Sequence, residues 1–170
     1  MLLILLTAAL GGLFILLGLR VPALVALAAL AFLACRALRG SHTDPLTGLY
    51  NLRHLRSQQR TYRRRMLAVW YFDLDHLKQV NDTQGHRAGD RLILELSQSL
   101  RTCPHPGAKA YRIGGDEFLL ILPDPPEKIE PPLNDPDTLP ASWGHASGSG
   151  AELDDLIDQA ERQMYQNRSH

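Results

Sequence analysis

Two acidic pairs stand beside β-prone apolar runs in this chain. Asp73 and Asp75 follow Leu67–Phe72, and Asp116 and Glu117 separate Ala110–Ile113 from Phe118–Leu122 behind the glycines Gly114 and Gly115. A carboxylate at the carboxyl end of a buried strand is held rigidly at an open sheet edge, a good position for a site. Two apolar runs around a Gly-Gly-Asp-Glu tip read as a β-hairpin with charges at its turn. The tip glycines would let the backbone take positive φ and let a bulky ligand come close. Between the pairs lie Asn81 and Asp90 in a polar, glycine-containing segment. An amide offers a donor and an acceptor and a carboxylate accepts two N–H bonds, a set that guanine's edge would satisfy, although these two residues by themselves do not identify a base. Each feature also has an ordinary explanation: a solvated turn at the tip, a strand terminus at Asp73, and a helix cap at Asp90.

The elements that must position these groups follow from periodicity. Leu67–Phe72 is a continuous apolar run of strand length and suits a central strand covered on both faces. Leu92, Leu96 and Leu100, with Ile93 beside them, predict an amphipathic helix after Asp90. Leu52, Leu55, Tyr62 and Met66 predict another, after a turn marked by the Asp44-Pro45 and Thr47-Gly48 pairs. Leu153, Leu156, Ile157, Ala160 and Met164 predict a last helix, with Ser149 and Glu152 spaced as a capping box.

The chain has 170 residues with equal numbers of basic and acidic side chains, so net charge excludes no partner class. Its charges are unevenly spread: none occurs from Met1 to Leu19 or from Val21 to Cys35. As one helix, Met1–Cys35 would run roughly 50 Å against a hydrocarbon core of about 30 Å. The break at Arg20-Val21-Pro22 instead predicts two short spans, Leu2–Leu19 and Pro22–Leu38, as a transmembrane helical hairpin. No basic residue precedes the first run, which argues against a signal peptide. Arg36, Arg39, Arg53 and Arg56 follow the second span, so the positive-inside rule puts the remainder in the cytoplasm. The arginines between Arg60 and Arg65 read as a solvated helix end near an anionic membrane surface. The cysteines Cys35 and Cys103 form no metal or disulfide signature.

Several ordered motifs resemble the GGDEF domains, a family that includes the diguanylate cyclases. They are Asp44 to Asn51 (DPLTGLYN), Phe72 to Asp82 (FDLDHLKQVND), Gly85-His86, Gly89-Asp90, and Arg112 to Phe118 (RIGGDEF). The resemblance implies an α/β (α+β) architecture, a nucleotidyl-cyclase or palm-like antiparallel sheet with flanking helices. It implies condensation of two GTP into cyclic di-GMP with release of pyrophosphate, in a homodimer. Mg²⁺ or Mn²⁺ would be held by Asp73, the main-chain carbonyl of Leu74, Asp116 and Glu117. Asn81 and Asp90 would read guanine, Lys78 would contact phosphate in the transition state, and Gly114 and Gly115 would keep the tip clear of the nucleotide. Arg168, after Met164-Tyr165, would hold a phosphate. The partners implied are GTP, a second copy of the chain and downstream cyclic di-GMP receptors, with no nucleic acid, and the apolar N-terminal region adds the lipid bilayer. The setting implied is a bacterial inner membrane.

Two departures matter. His105–Ala108 stands where the family carries an inhibitory RxxD motif, which implies no tight product inhibition there. Pro123–Pro140 holds seven of the eleven prolines where the family has a long helix, and proline excludes one. Ser142–Gly144 then resembles the remnant of a strand. The expected organisation is a membrane region at 1–39 and a shortened domain at 40–170 with a proline-rich loop at 123–140. Two other readings remain open: an inactive module binding GTP or cyclic di-GMP, and a membrane protein that regulates a partner cyclase.

Overall fold

The structure is a computed structural model that describes Ala26, residues 28–32, 42–125 and 140–168. The chain divides into two compact units, Met1–Ser41 and His42–His170. In the first, Ala26 and residues 28–32 are helical. No helix among the described residues is long and apolar enough to cross a membrane. The expected span Leu2–Leu19 lies outside the described residues, as does most of Pro22–Leu38. So does residues 126–139 of the proline-rich segment.

The second unit runs β1 (Tyr50–Asn51), α1 (Leu52–Tyr62), β2 (Met66–Leu74), α2 (Leu77–Gln84), α3 (His86–Arg101), β3 (Lys109–Arg112), β4 (Glu117–Pro123), β5 (Ala141–Ser149), a short 3₁₀ turn (Gly150–Glu152) and α4 (Leu153–Arg168). The sheet order is β1-β3-β4-β2-β5. All pairings are antiparallel except β1 with β3, so the sheet is mixed rather than purely antiparallel.

Alternation along β2 builds the core. Ala68, Trp70, Phe72 and Leu74 point to the face covered by Leu77 of α2 and by Ile93, Leu96 and Leu100 of α3. Leu67, Val69 and Tyr71 point to the other, covered by Leu55 and Tyr62 of α1 and by Leu153, Leu156, Ala160 and Met164 of α4. Each large apolar side chain buried this way contributes about 1.5–3 kcal/mol, which explains why the strand is one unbroken apolar run. Within the second face Tyr62 and Tyr111 satisfy each other, hydroxyl to hydroxyl at 2.8 Å.

Several local expectations need correction. Met66 begins β2 rather than ending α1 and is exposed, and Leu52 is exposed too. Asn51 caps α1, its carboxamide oxygen accepting from His54 N–H at 3.0 Å. Helix α3 starts at His86 behind Gly85 (φ 83°), so Asp90 lies in the second turn and caps nothing. Ser149 caps the 3₁₀ turn by accepting from Ala151 N–H at 3.2 Å. The segment read as a strand remnant is a nine-residue strand, β5, paired with β2 along its full length. Its small residues serve helix packing: a Cβ at Gly144 would overlap the backbone of α4 at Ala160 and Met164.

Candidate functional site

The carboxyl end of β2 and the turn between β3 and β4 lie side by side. Asp73 pairs in register with Glu117, and Leu74 N–H donates to the Asp116 carbonyl at 3.1 Å. The turn is closed by Ile113 N–H donating to the Glu117 carbonyl at 3.0 Å. Neither Gly114 nor Gly115 has positive φ, which corrects the reason expected for them. A Cβ at Gly114 would meet the Glu117 carboxylate in its present position, whereas Gly115 faces open space.

Arg112 braces this turn from beneath. Its Nη2 donates to the Gly115 carbonyl at 2.7 Å, and its Nη1 lies 3.1 Å from Asp44 Oδ1. That same Asp44 oxygen accepts Thr47 N–H and Thr47 Oγ1, each at 2.8 Å. Burial alone would raise the Asp44 carboxyl, but the Thr47 bonds and Arg112 outweigh it and hold it below the ordinary range. The first turn of the domain thus fixes the hairpin tip.

Beside the tip is a cleft of about 380 Å³ lined by Leu77, Lys78, Asn81, Asp82, His86, Ile93, Arg112, Gly115 and Asp116. Lys78 and Asn81 come from α2, His86 and Ile93 from α3, and the last three from the hairpin. The structure therefore brings Lys78, Asn81, Gly115 and Asp116 to one opening. Asp90 is exposed on α3 outside that lining. Gly89 lets α2 approach α3, since a Cβ there would overlap the Asn81 carboxamide.

Asp73 points to the other face of the sheet end, where α4 finishes. Arg168 spans two carboxylates, Nη1 to Asp73 Oδ1 at 2.9 Å and Nη2 to Asp75 Oδ1 at 2.8 Å. Ser142 Oγ donates to Asp75 at 2.9 Å. Burial pushes the Asp73 carboxyl above its ordinary range; Arg168 opposes the rise, while Asp116 and Asp75 add to it by repulsion. Glu117 is turned elsewhere: its Oε1 accepts Tyr71 Oη at 2.7 Å, and burial first, then this bond, raise the Tyr71 hydroxyl. Among the described residues no group of three or more acids, histidines or cysteines is gathered for a metal. The donor types fit a hard divalent cation, but Arg168 and Glu117 would have to move to complete the set.

Asp75 was noted beside Asp73 but given no role, although it lies two residues on, the spacing that returns a side chain to the same face of an extended chain. His86, Asp82 and Arg112 in the cleft lining were missed as well. The Gly85-His86 motif was the available signal for His86; nothing local signals Arg112's partner 68 residues away.

The model of the family described as "Diguanylate cyclase, GGDEF domain" matches residues 41–133, more than half of the chain. The chain belongs to this family. Among curated relatives, the diguanylate cyclase DgcN of Escherichia coli (strain K12) is 41% identical over 92 residues, 51% of this chain and 22% of DgcN. The diguanylate cyclase VdcA of Vibrio cholerae is 38% identical over 82 residues, 47% of this chain and 24% of VdcA. A cyclic di-GMP phosphodiesterase, PdeB of Shewanella oneidensis, is 40% identical over 83 residues, 48% of this chain and 10% of PdeB. The chain thus spans a minor part of these relatives' lengths. In fold it is similar to the coiled coil and GGDEF domain of DgcB from Caulobacter crescentus, solved with c-di-GMP, at 20% identity. That TM-score is 0.66, with 87% of this chain and 91% of the other covered. SiaD of Pseudomonas aeruginosa, solved with its activator SiaC, gives a TM-score of 0.62 at 23% identity, covering 96% and 74%. At these identities the likeness shows the fold.

Proposed function

We propose that this GGDEF domain is a diguanylate cyclase that condenses two GTP into cyclic di-GMP and releases pyrophosphate. The observation that carries the reading is the cleft of Lys78, Asn81, Gly115 and Asp116, beside a hairpin tip whose strand pairs with the strand end bearing Asp73. Each of two domains brings one GTP. The 3′-oxygen of one bonds to the α-phosphorus of the other, the bond to pyrophosphate breaks, and a second such step closes the ring. When bound, Mg²⁺ or Mn²⁺ offsets the triphosphate's charge and acidifies the attacking hydroxyl. Asp73, the Leu74 carbonyl, Asp116 and Glu117 would hold it, Glu117 after leaving Tyr71. Lys78 offers a positive charge to the phosphates as negative charge shifts onto the leaving pyrophosphate. Asn81 and Asp90 read the guanine edge, and the open space at Gly115 admits the nucleotide.

Incubating the full chain in detergent with GTP and Mg²⁺ or Mn²⁺ tests this. Linear dinucleotide and cyclic di-GMP are expected, and Asp116→Ala should abolish both. Absence of both products from the wild-type chain would sink the reading.

One observation favours a second reading, a non-catalytic module that binds GTP or cyclic di-GMP. Arg168 sits on Asp73, and Glu117 faces Tyr71, so the acids are not assembled. Tight nucleotide binding with no product under either metal would select it. The uncharged stretches before Arg36 support a membrane anchor at 1–39, and Arg36, Arg39, Arg53 and Arg56 support a domain facing the cytoplasm. Release of the full chain from bacterial membranes by alkaline carbonate would refute the anchor.

A further inference from the structure

Arg168 was expected on a phosphate, yet its guanidinium forks across Asp73 and Asp75, with one nitrogen on each. A planar guanidinium reaches two carboxylates through separate nitrogens, where a lysine ammonium has one nitrogen and no fixed fork. The arm is aimed from both ends. Gly144 admits the α4 backbone against β5, and Asn167 Nδ2 donates to the Trp143 carbonyl at 3.0 Å, fixing the last turn. The helix C-terminus, where Arg168 sits, favours a cation. On the other side Ser142 Oγ holds Asp75 toward the arginine. The pair is nevertheless partly open, with the Arg168 side chain 36% exposed, so water screens it and it can exchange.

We propose that Arg168 is an exchangeable internal cation that occupies the Asp73–Asp75 carboxylates until a nucleotide arrives. This rests on the metal and nucleotide roles proposed above. A divalent ion arriving alone must displace Arg168 from Asp73 and leave the guanidinium without an anion. A triphosphate arriving with the ion gives Arg168 a new anionic partner, so displacement costs less. Metal and nucleotide affinities are therefore coupled through this side chain, and by linkage each raises the other by the same factor. In the empty protein the guanidinium meanwhile offsets part of the repulsion between Asp73 and Asp75.

The test is Mn²⁺ binding to the nucleotide-free full chain, read from the loss of the free-ion paramagnetic resonance signal. Arg168→Gln should bind Mn²⁺ roughly tenfold more tightly than wild type, and Arg168→Lys should fall between. A non-hydrolysable GTP analogue should tighten Mn²⁺ binding in wild type by a larger factor than in Arg168→Gln. Arg162→Gln removes the same charge from an exposed position on α4 and should leave Mn²⁺ affinity unchanged. An equal gain in Arg162→Gln, or no gain in Arg168→Gln, overturns the proposal. If Asp73→Asn loses Mn²⁺ while Arg168→Gln matches wild type, only the exchange idea falls. If Asp73→Asn binds Mn²⁺ like wild type, the metal assignment falls with it.

Discussion

Gly89 of α3 lies directly against Asn81 of α2, and the space its missing side chain leaves is filled by the Asn81 carboxamide. The contact joins a helix that covers the sheet to an amide that lines the cleft. The obstacle to a larger residue is the far end of a side chain, which can rotate away. Alanine is also a better helix residue than glycine, by about 1 kcal/mol. Gly89→Ala should therefore leave the melting temperature unchanged or slightly raised while turning Asn81 out of place. With Asn81 reading the base as proposed, loss of that contact, about 1–3 kcal/mol, should weaken GTP binding at least severalfold. Calorimetry with GTP beside thermal melts checks the split; loss of stability with intact GTP affinity would refute it.

Gly144 presents the opposite case. Its missing Cβ makes room for main-chain atoms of Ala160 and Met164, which cannot rotate away. Gly144→Ala must push α4 off β5, and the strain should cost about 3 kcal/mol. Urea unfolding should show a lowered midpoint with an unchanged slope. Because Arg168 ends the same helix, its two carboxylate contacts should loosen as well.

The contrast explains what the sequence disclosed. β2 was legible because a strand covered on both faces must be apolar throughout, and Leu67–Phe72 is. The hairpin around Gly114–Asp116 was legible from its apolar flanks and glycines, although positive φ was the wrong reason for them. β5 was not legible as a long strand: Ala141–Ser149 is rich in glycine and serine, and pairing with β2 and the close approach of α4 make it a strand. Asp73 was legible from its place at a strand end. That Arg168 would reach it was not, because no local pattern reports a helix end meeting a strand end 95 residues away.

Asp44 and Arg112 form another such long-range pair, and it yields a pH dependence. The Asp44 carboxyl is depressed below its ordinary 3.8 in the folded chain. A depressed acid favours folding above its unfolded value, and that contribution is lost as pH falls through the lower, folded value. Asp44→Asn removes the charge opposite Arg112 and should cost about 1–3 kcal/mol near neutral pH. The gap between wild type and variant should hold down to about pH 5 and narrow below the ordinary aspartate range. Urea melts from pH 7 to pH 3 measure it. A gap that widens on acidification would contradict the assignment.

Asp90 offers the sharpest check on the proposed preference for guanine. It is exposed one turn along α3 from His86 and has no capping duty, so its removal should barely disturb the fold. Its carboxylate can accept two N–H groups, which guanine presents on its hydrogen-bonding edge and adenine does not. Asp90→Ala should therefore weaken GTP by roughly tenfold or more, the loss expected for bonds to a charged group. ATP binding should weaken less. Competition between the two nucleotides for wild type and variant measures the ratio directly. Equal weakening of both would take base selection away from Asp90 and leave it to Asn81 and the cleft wall.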